Sequence, residues 1–151
     1  MRHQQSKQGL LVIGRREWVD FPELGLEQII AKVDTGAYTS SIHVHQVEEI
    51  EVNGAQGVRF QLLDPRHPEY KDRFWEFPVL KQKYIKSSNG ERQRRHIIRT
   101  PIKIFGRIFK IELSLADRSK MECPILLGRK VLTNRFLVDV SLKYLSANLD
   151  K

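Results

Sequence analysis

Cysteine is almost missing from this sequence: Cys123 is the single one in 151 residues. An internal disulfide framework and a multi-cysteine zinc site are thereby excluded. No apolar run approaches the roughly 18 residues that a membrane helix needs. The short run at residues 10–13, behind a polar start, is too brief for a signal-peptide core. There is no His-Glu-x-x-His zinc motif and no Gly-x-x-x-x-Gly-Lys-Ser/Thr phosphate loop. His43 and His45 stand two apart on a strand and could share a metal, although two polar residues on one strand face is the simpler reading. Cys123, beside Pro124 and ahead of an apolar run, reads as a packing residue. The expectation is a cytoplasmic protein with no metal, no cofactor and no membrane partner.

Hydrophobic residues make up 40 % and charged residues 29 % of the chain, a globular profile. The length suits one domain. Residues 1–9 are expected to form a flexible tail and residues 10–151 the domain. The net charge is +8. Ten basic residues and one acidic residue fall between Lys81 and Lys110, a local charge of +9, while the rest of the chain sums to −1. Such a stretch attracts nucleic acid, an anionic membrane surface or an acidic polypeptide, or is a solvated face.

Strand patterns dominate. Apolar runs at 10–13, 29–33 and 125–127 read as buried strands, and residues 42–52, 58–62 and 136–140 as further strands. Phe109, Ile111, Leu113 and Leu115 alternate with strand period. Asn53-Gly54 marks a hairpin turn. Residues 64–72, polar with two prolines, read as a loop. Residues 74–86, interrupted by Pro78, and residues 92–103 read as two extended arms of a long basic hairpin with its tip at Ser87-Ser88-Asn89-Gly90. The helical signal is confined to residues 130–134. This pattern argues for a closed or folded-over all-β domain.

One motif carries chemistry. Asp34-Thr35-Gly36-Ala37 follows an apolar strand that ends at Val33, which delivers a carboxylate to an exposed turn. Gly36 lets the backbone turn sharply, and Thr35 can fix the loop by bonding a neighbouring backbone group. By itself the tripeptide also suits an ordinary turn with an Asx-type hydrogen bond.

Taken with Ile125-Leu126-Leu127-Gly128-Arg129, the segment Ala31-Lys32-Val33-Asp34-Thr35-Gly36-Ala37 resembles the retropepsin-type aspartic proteases. Ile13-Gly14-Arg15-Arg16-Glu17-Trp18-Val19, Tyr38-Thr39-Ser40-Ser41, Ser87-Ser88-Asn89-Gly90, Asp117-Arg118, Met121 and Phe136-Leu137-Val138-Asp139 narrow the likeness. They resemble a bacterial retropepsin-like family that carries an ATP-dependent zinc protease label. That family is associated with the ATP-grasp ligases that add glutamate tails to a ribosomal protein. The missing zinc and phosphate-loop motifs leave both halves of the label without support.

The resemblance implies a closed retropepsin-like β-barrel with one short helix, acting as a homodimer. An aspartic protease needs two carboxylates about 3 Å apart that share a proton. The chain has one Asp-Thr/Ser-Gly, so the second carboxylate is expected from another copy. By resemblance, Asp34 is catalytic, Thr35 bonds across the dimer, Gly36 receives substrate backbone, and Ala37 and Tyr38 border the substrate. Ser87, Ser88, Asn89 and Gly90 form the tip of a closing flap, and Gly128 and Arg129 support the loop. The viral enzymes pair their arginine with an acid four residues after the aspartate. Here Tyr38 stands in that place, and Glu17 is an alternative partner for Arg129. The basic hairpin over the aspartates suggests an acidic polypeptide substrate, in its narrowest form a glutamate tail on a ribosomal protein. Two other readings stay open. One is a catalytically inactive β-barrel that binds RNA or the ribosome through the hairpin, with Phe74, Trp75, Tyr84 and Phe105 available for stacking. The other is a protease acting on an envelope or signalling protein.

Overall fold

The computed structural model describes residues 9–86, 90–118 and 120–148. The expected tail therefore lies almost wholly outside the described residues. Among the described residues there are eleven strands: β1 Leu11–Ile13, β2 Arg16–Phe21, β3 Leu26–Val33, β4 Ser40–Val52, β5 Ala55–Leu62, β6 Trp75–Pro78, β7 Lys81–Lys86, β8 Arg92–Ile104, β9 Arg107–Ala116, β10 Ile125–Leu127 and β11 Phe136–Val138. One short helix, α1, spans Arg129–Leu132, and 3-10 turns occupy Pro22–Leu24 and Leu145–Asn148. The protein is all-β, as its alternating sequence predicts. Among the described residues no helix is long and apolar enough to cross a membrane.

The main sheet runs β10-β3-β2-β8-β9-β4-β5-β6, with β7 added to β8. β10 also pairs antiparallel with β4, through Ile125↔Ile42 and Leu126↔Ser41. β2 and β8 meet at Asp20↔Lys103. β1 and β11 form a separate parallel pair. Inward residues of these strands make one apolar cluster that includes Ile13, Phe21, Ile42, Phe60, Ile98, Ile102, Leu113 and Ile125. Their burial is the main favourable term in folding.

Several expectations change. β2 was not legible as a strand because one of its inward positions is Glu17, which breaks the apolar alternation shared by Val19 and Phe21. Residues 74–86 break after Pro78, where the sequence suggests an interruption, into two strands with different partners. β6 pairs with β5 and β7 with β8, and Val79 and Leu80 lie between them. The hairpin of β7 and β8 ends at Lys81↔Ile97; beyond it, β8 pairs with β9. The local charge therefore divides. Lys81, Lys83, Lys86, Arg92, Arg94 and Arg95 lie on the hairpin, whereas Arg99, Lys103, Arg107 and Lys110 lie on β8 and β9 in the body of the sheet. The helix is shorter than residues 130–134 and begins one residue earlier, because Gly128 precedes it and Asn134 adopts a left-handed φ of 65°.

Glu17 is fully buried. Its carboxylate accepts the Gly14 N–H and the Ser146 N–H, each at 2.8 Å. It thus ties β2 to the turn after β1 and to the C-terminal 3-10 turn. This use overturns Glu17 as a partner for Arg129. Glu17→Ala strands both amides and is expected to cost about 2–4 kcal/mol in chemical denaturation. A loss below about 1 kcal/mol would show that the tie is dispensable.

Candidate active site

The Asp34 loop leaves β3 and is caught by the segment that follows β10. β10 lies parallel to β3 in the register Ile125↔Ala31, Leu126↔Lys32 and Leu127↔Val33. The Asp34 N–H continues this pairing by donating to Leu127 O at 2.9 Å. Next, the Arg129 and Lys130 amides, at the start of α1, donate to the carbonyls of Ala37 and Tyr38 at 2.8 and 3.0 Å. Such amides have no partner inside the helix and must find one elsewhere. The Gly128 N–H donates to Ser40 Oγ at 3.0 Å. A Cβ at position 128 would stand 2.8 Å from Tyr38 O and 2.9 Å from Ala37 O, both backbone atoms. Only glycine permits this approach.

Within the loop, Asp34 Oδ1 accepts the Gly36 N–H at 2.9 Å. Gly36 contributes closeness rather than a left-handed turn, since a Cβ there would lie 3.2 Å from that same oxygen. Asp34 is half-buried, while Thr35 and Gly36 face solvent. Arg129 reaches back and donates from Nη1 to Thr35 O at 3.0 Å. Its guanidinium also stands 5.7 Å from the Tyr38 ring. Arg129 thus finds a carbonyl and an aromatic face where the viral pattern supplies an acid.

The hairpin approaches the same loop. Lys83 Nζ donates to Thr39 Oγ1 at 3.2 Å and lies 5.1 Å from the Tyr38 ring. A cavity of about 300 Å³ between them is lined by Ala37, Tyr38, Thr39, Lys83, Tyr84 and Ile85. Glu112 accepts from Lys81 at 2.8 Å and also from Lys130. Both hydrogen bonds, Lys130 first, hold its carboxyl below the usual range. One glutamate therefore joins the hairpin root to the helix that clasps the loop. Gly90 is exposed with φ 87°. Ser87, Ser88 and Asn89 lie outside the described residues, so the expected tip stands as a sequence expectation.

Sequence reasoning missed a second cluster. His43 is buried, and its Nε2 lies 2.6 Å from Asp64 Oδ2. Its Nδ1 accepts the Arg118 N–H at 2.8 Å, which places the proton on Nε2. His43 is thus committed to contacts with Asp64 and the Arg118 amide. Among the described residues no group of three or more His, Cys, Asp or Glu could hold a metal ion. Burial alone would raise the Asp64 carboxyl, but the Arg66 amide, the Arg66 guanidinium and His43 outweigh it and bring it to about 2. A cleft of about 760 Å³ opens here, lined by His43, Asp64, Arg66, Arg95 and Asp117 among others. Neither cavity is lined by Asp34. Cys123 is buried, and burial pushes its thiol up, in keeping with a packing role.

An all-β chain that clasps its one Asp-Thr-Gly loop in this manner is retropepsin-like in class. The chain belongs to the RimB-like family, described as retropepsin-like aspartic endopeptidase RimB, which it matches over residues 12–148. It is 38 % identical over 136 residues to a probable alpha-L-glutamate ligase of Desulfotalea psychrophila, and 40 % identical over 134 residues to one of Shewanella pealeana. These alignments cover 87 % and 86 % of this chain but 28 % of each relative. The chain thus spans little more than a quarter of those longer proteins. Among solved structures it is similar to a protein of unknown function from Legionella pneumophila, Lpg0085, with TM-score 0.74 and 25 % identity. That likeness covers 90 % of this chain and 98 % of the other.

Two outcomes test this geometry. Gly128→Ala forces backbone atoms apart and is expected to lower stability by about 2 kcal/mol or more; an unchanged unfolding midpoint would show that the clasp yields. Asp64 is held below its ordinary value, so its stabilisation is complete above about pH 4 and fades as pH falls to about 2. The wild-type midpoint should fall through that window by the equivalent of about 1–2 kcal/mol more than that of Asp64→Asn. Parallel curves would refute the assignment.

Proposed function

We propose that this chain is an aspartic endopeptidase whose dyad is Asp34 from each of two copies. The carrying observation is the Asp34 loop, clasped by Gly128 and Arg129, half-buried at its carboxylate and open to solvent at Thr35 and Gly36. One carboxylate cannot both activate water and polarise the peptide carbonyl. Two that meet on a twofold axis share one proton. The ionised member takes a proton from water, whose oxygen attacks the carbonyl carbon. The protonated member donates to the carbonyl oxygen, and proton return to the nitrogen releases the amine. The pairing of β10 with both β3 and β4 supports reading the sheet as a closed barrel. In this reading Thr35 bonds across the dimer, Gly36 takes substrate backbone, Ala37 and Tyr38 border it, and Ser87, Ser88, Asn89 and Gly90 close over it.

The substrate in this reading is an acidic polypeptide, in its narrowest form a glutamate tail on a ribosomal protein. Six hairpin cations support it. So does the naming of the longer relatives as probable glutamate ligases: a unit joined to such an enzyme meets glutamate-bearing products first. No cofactor is required.

Purified chain should cleave a glutamate-tailed peptide, and Asp34→Asn should abolish cleavage. Equal mixing of the two, with subunit exchange, should leave about a quarter of the activity of the same total amount of wild-type chain, because only one pairing in four holds two aspartates. Undiminished cleavage by Asp34→Asn would sink the mechanism. Salt-sensitive RNA binding indifferent to Asp34, with no cleavage, would replace it with the binding-module reading.

A further inference from the structure

The basic residues around the loop are not equivalent. Lys81 bonds to Glu112 and Arg94 to Glu49. Arg95 and Arg118 instead bond neutral oxygens: Arg95 the Gln93 Oε1 at 2.9 Å, and Arg118 the Cys123 carbonyl at 3.2 Å and Ser41 Oγ at 3.4 Å. Both are half-buried. Burial pushes both guanidiniums below the usual arginine range, outweighing the attraction of Asp117 at Arg95, and the charge of Arg95 lowers Arg118 further. Asp34 acts on Arg118 in the opposite direction. Two cations that repel each other thus stand together, and Arg118 lies within the field of the candidate catalytic carboxylate. Asp117, itself exposed, does not offset the burial of Arg95, so a further anion is favoured beside the like-charge pair.

Their placement is built. Arg95 is the cross-strand partner of Lys83, so the two share one face of the hairpin. Lys83 reaches Thr39 and Arg118 reaches Ser41, on the segment that continues from the Asp34 loop into β4. Arg118 is fixed at its amide by His43, which Asp64 holds in turn. His43 and Asp64 are positioning residues in this arrangement.

We propose that Arg95 and Arg118 form a carboxylate receptor beside Asp34 that selects a glutamate or aspartate side chain next to the scissile bond. This rests on the endopeptidase reading for its role and on the arginines for its chemistry. A planar guanidinium donates two parallel hydrogen bonds to a carboxylate, which a lysine cannot do.

Binding separates the two claims. Peptides identical except for Glu or Gln at every acidic position would be titrated into the Asp34→Asn chain. The Glu peptide should bind more tightly. Arg95→Gln or Arg118→Gln should weaken it about ten- to a hundredfold and leave the Gln peptide within about twofold. Arg118→Lys keeps the charge without the fork and should fall between, which guards against misfolding of the Gln variant. Equal binding of both peptides, or a Glu preference that survives Arg95→Gln, overturns the receptor. Asp34-dependent cleavage without Glu preference overturns the receptor and spares the endopeptidase. An arginine-dependent Glu preference in a chain that never cleaves does the reverse.

Discussion

Everything at the candidate site depends on one close backbone contact, that of Gly128 against the carbonyls of Ala37 and Tyr38. Without side-chain bulk at 128, β10 can run beside β3 and then turn its first helical amides onto the loop. The loop is thereby held by main-chain hydrogen bonds, which are insensitive to side-chain rotamers. Asp34 is oriented from within the loop by the Gly36 amide, and Arg129 closes the arrangement at Thr35. A carboxylate fixed by backbone before any ligand arrives costs little reorganisation when it acts.

The hairpin is tied to the same clasp. Glu112 takes hydrogen bonds from Lys81 at the hairpin root and from Lys130 in α1, and Lys83 bonds to Thr39 just beyond the loop. On the other face, Arg94 and His96 share Glu49. Some of the positive charge is therefore spent on anchoring. What looks in the sequence like one basic run serves three physical purposes: anchoring the hairpin, facing the loop, and solvating the outer surface of β8 and β9.

The strand character, the Asp34 loop and its Gly128-Arg129 partner were legible because each has a local signature: alternation, an acid at a strand end, an apolar run stopped by glycine. The buried strand β2 was not, since Glu17 occupies an inward position and only the distant Ser146 amide and the Gly14 amide make that tolerable. The break in residues 74–86 was legible at Pro78, but not that β6 pairs back with β5 while β7 pairs forward with β8. His43 was legible only as a polar residue on a strand. Its value lies in Asp64 and Arg118, which no spacing rule connects to it.

Tyr38 draws these threads together. The viral pattern places an acid there, which would neutralise cations nearby. In this chain the Tyr38 ring lies within 5.1 to 5.9 Å of Lys83, Arg129 and Lys130. An aromatic face steadies cations through its quadrupole without cancelling their charge. An acid at 38 would hold the loop through an ion pair and quench the positive field where the hairpin meets it. A tyrosine lets Arg129 support the loop through the Thr35 carbonyl while that field survives. The departure from the viral pattern thus fits the proposed anionic substrate: the same backbone clasp, with Lys83 and Arg129 bonded to neutral oxygens while Glu112 holds Lys130.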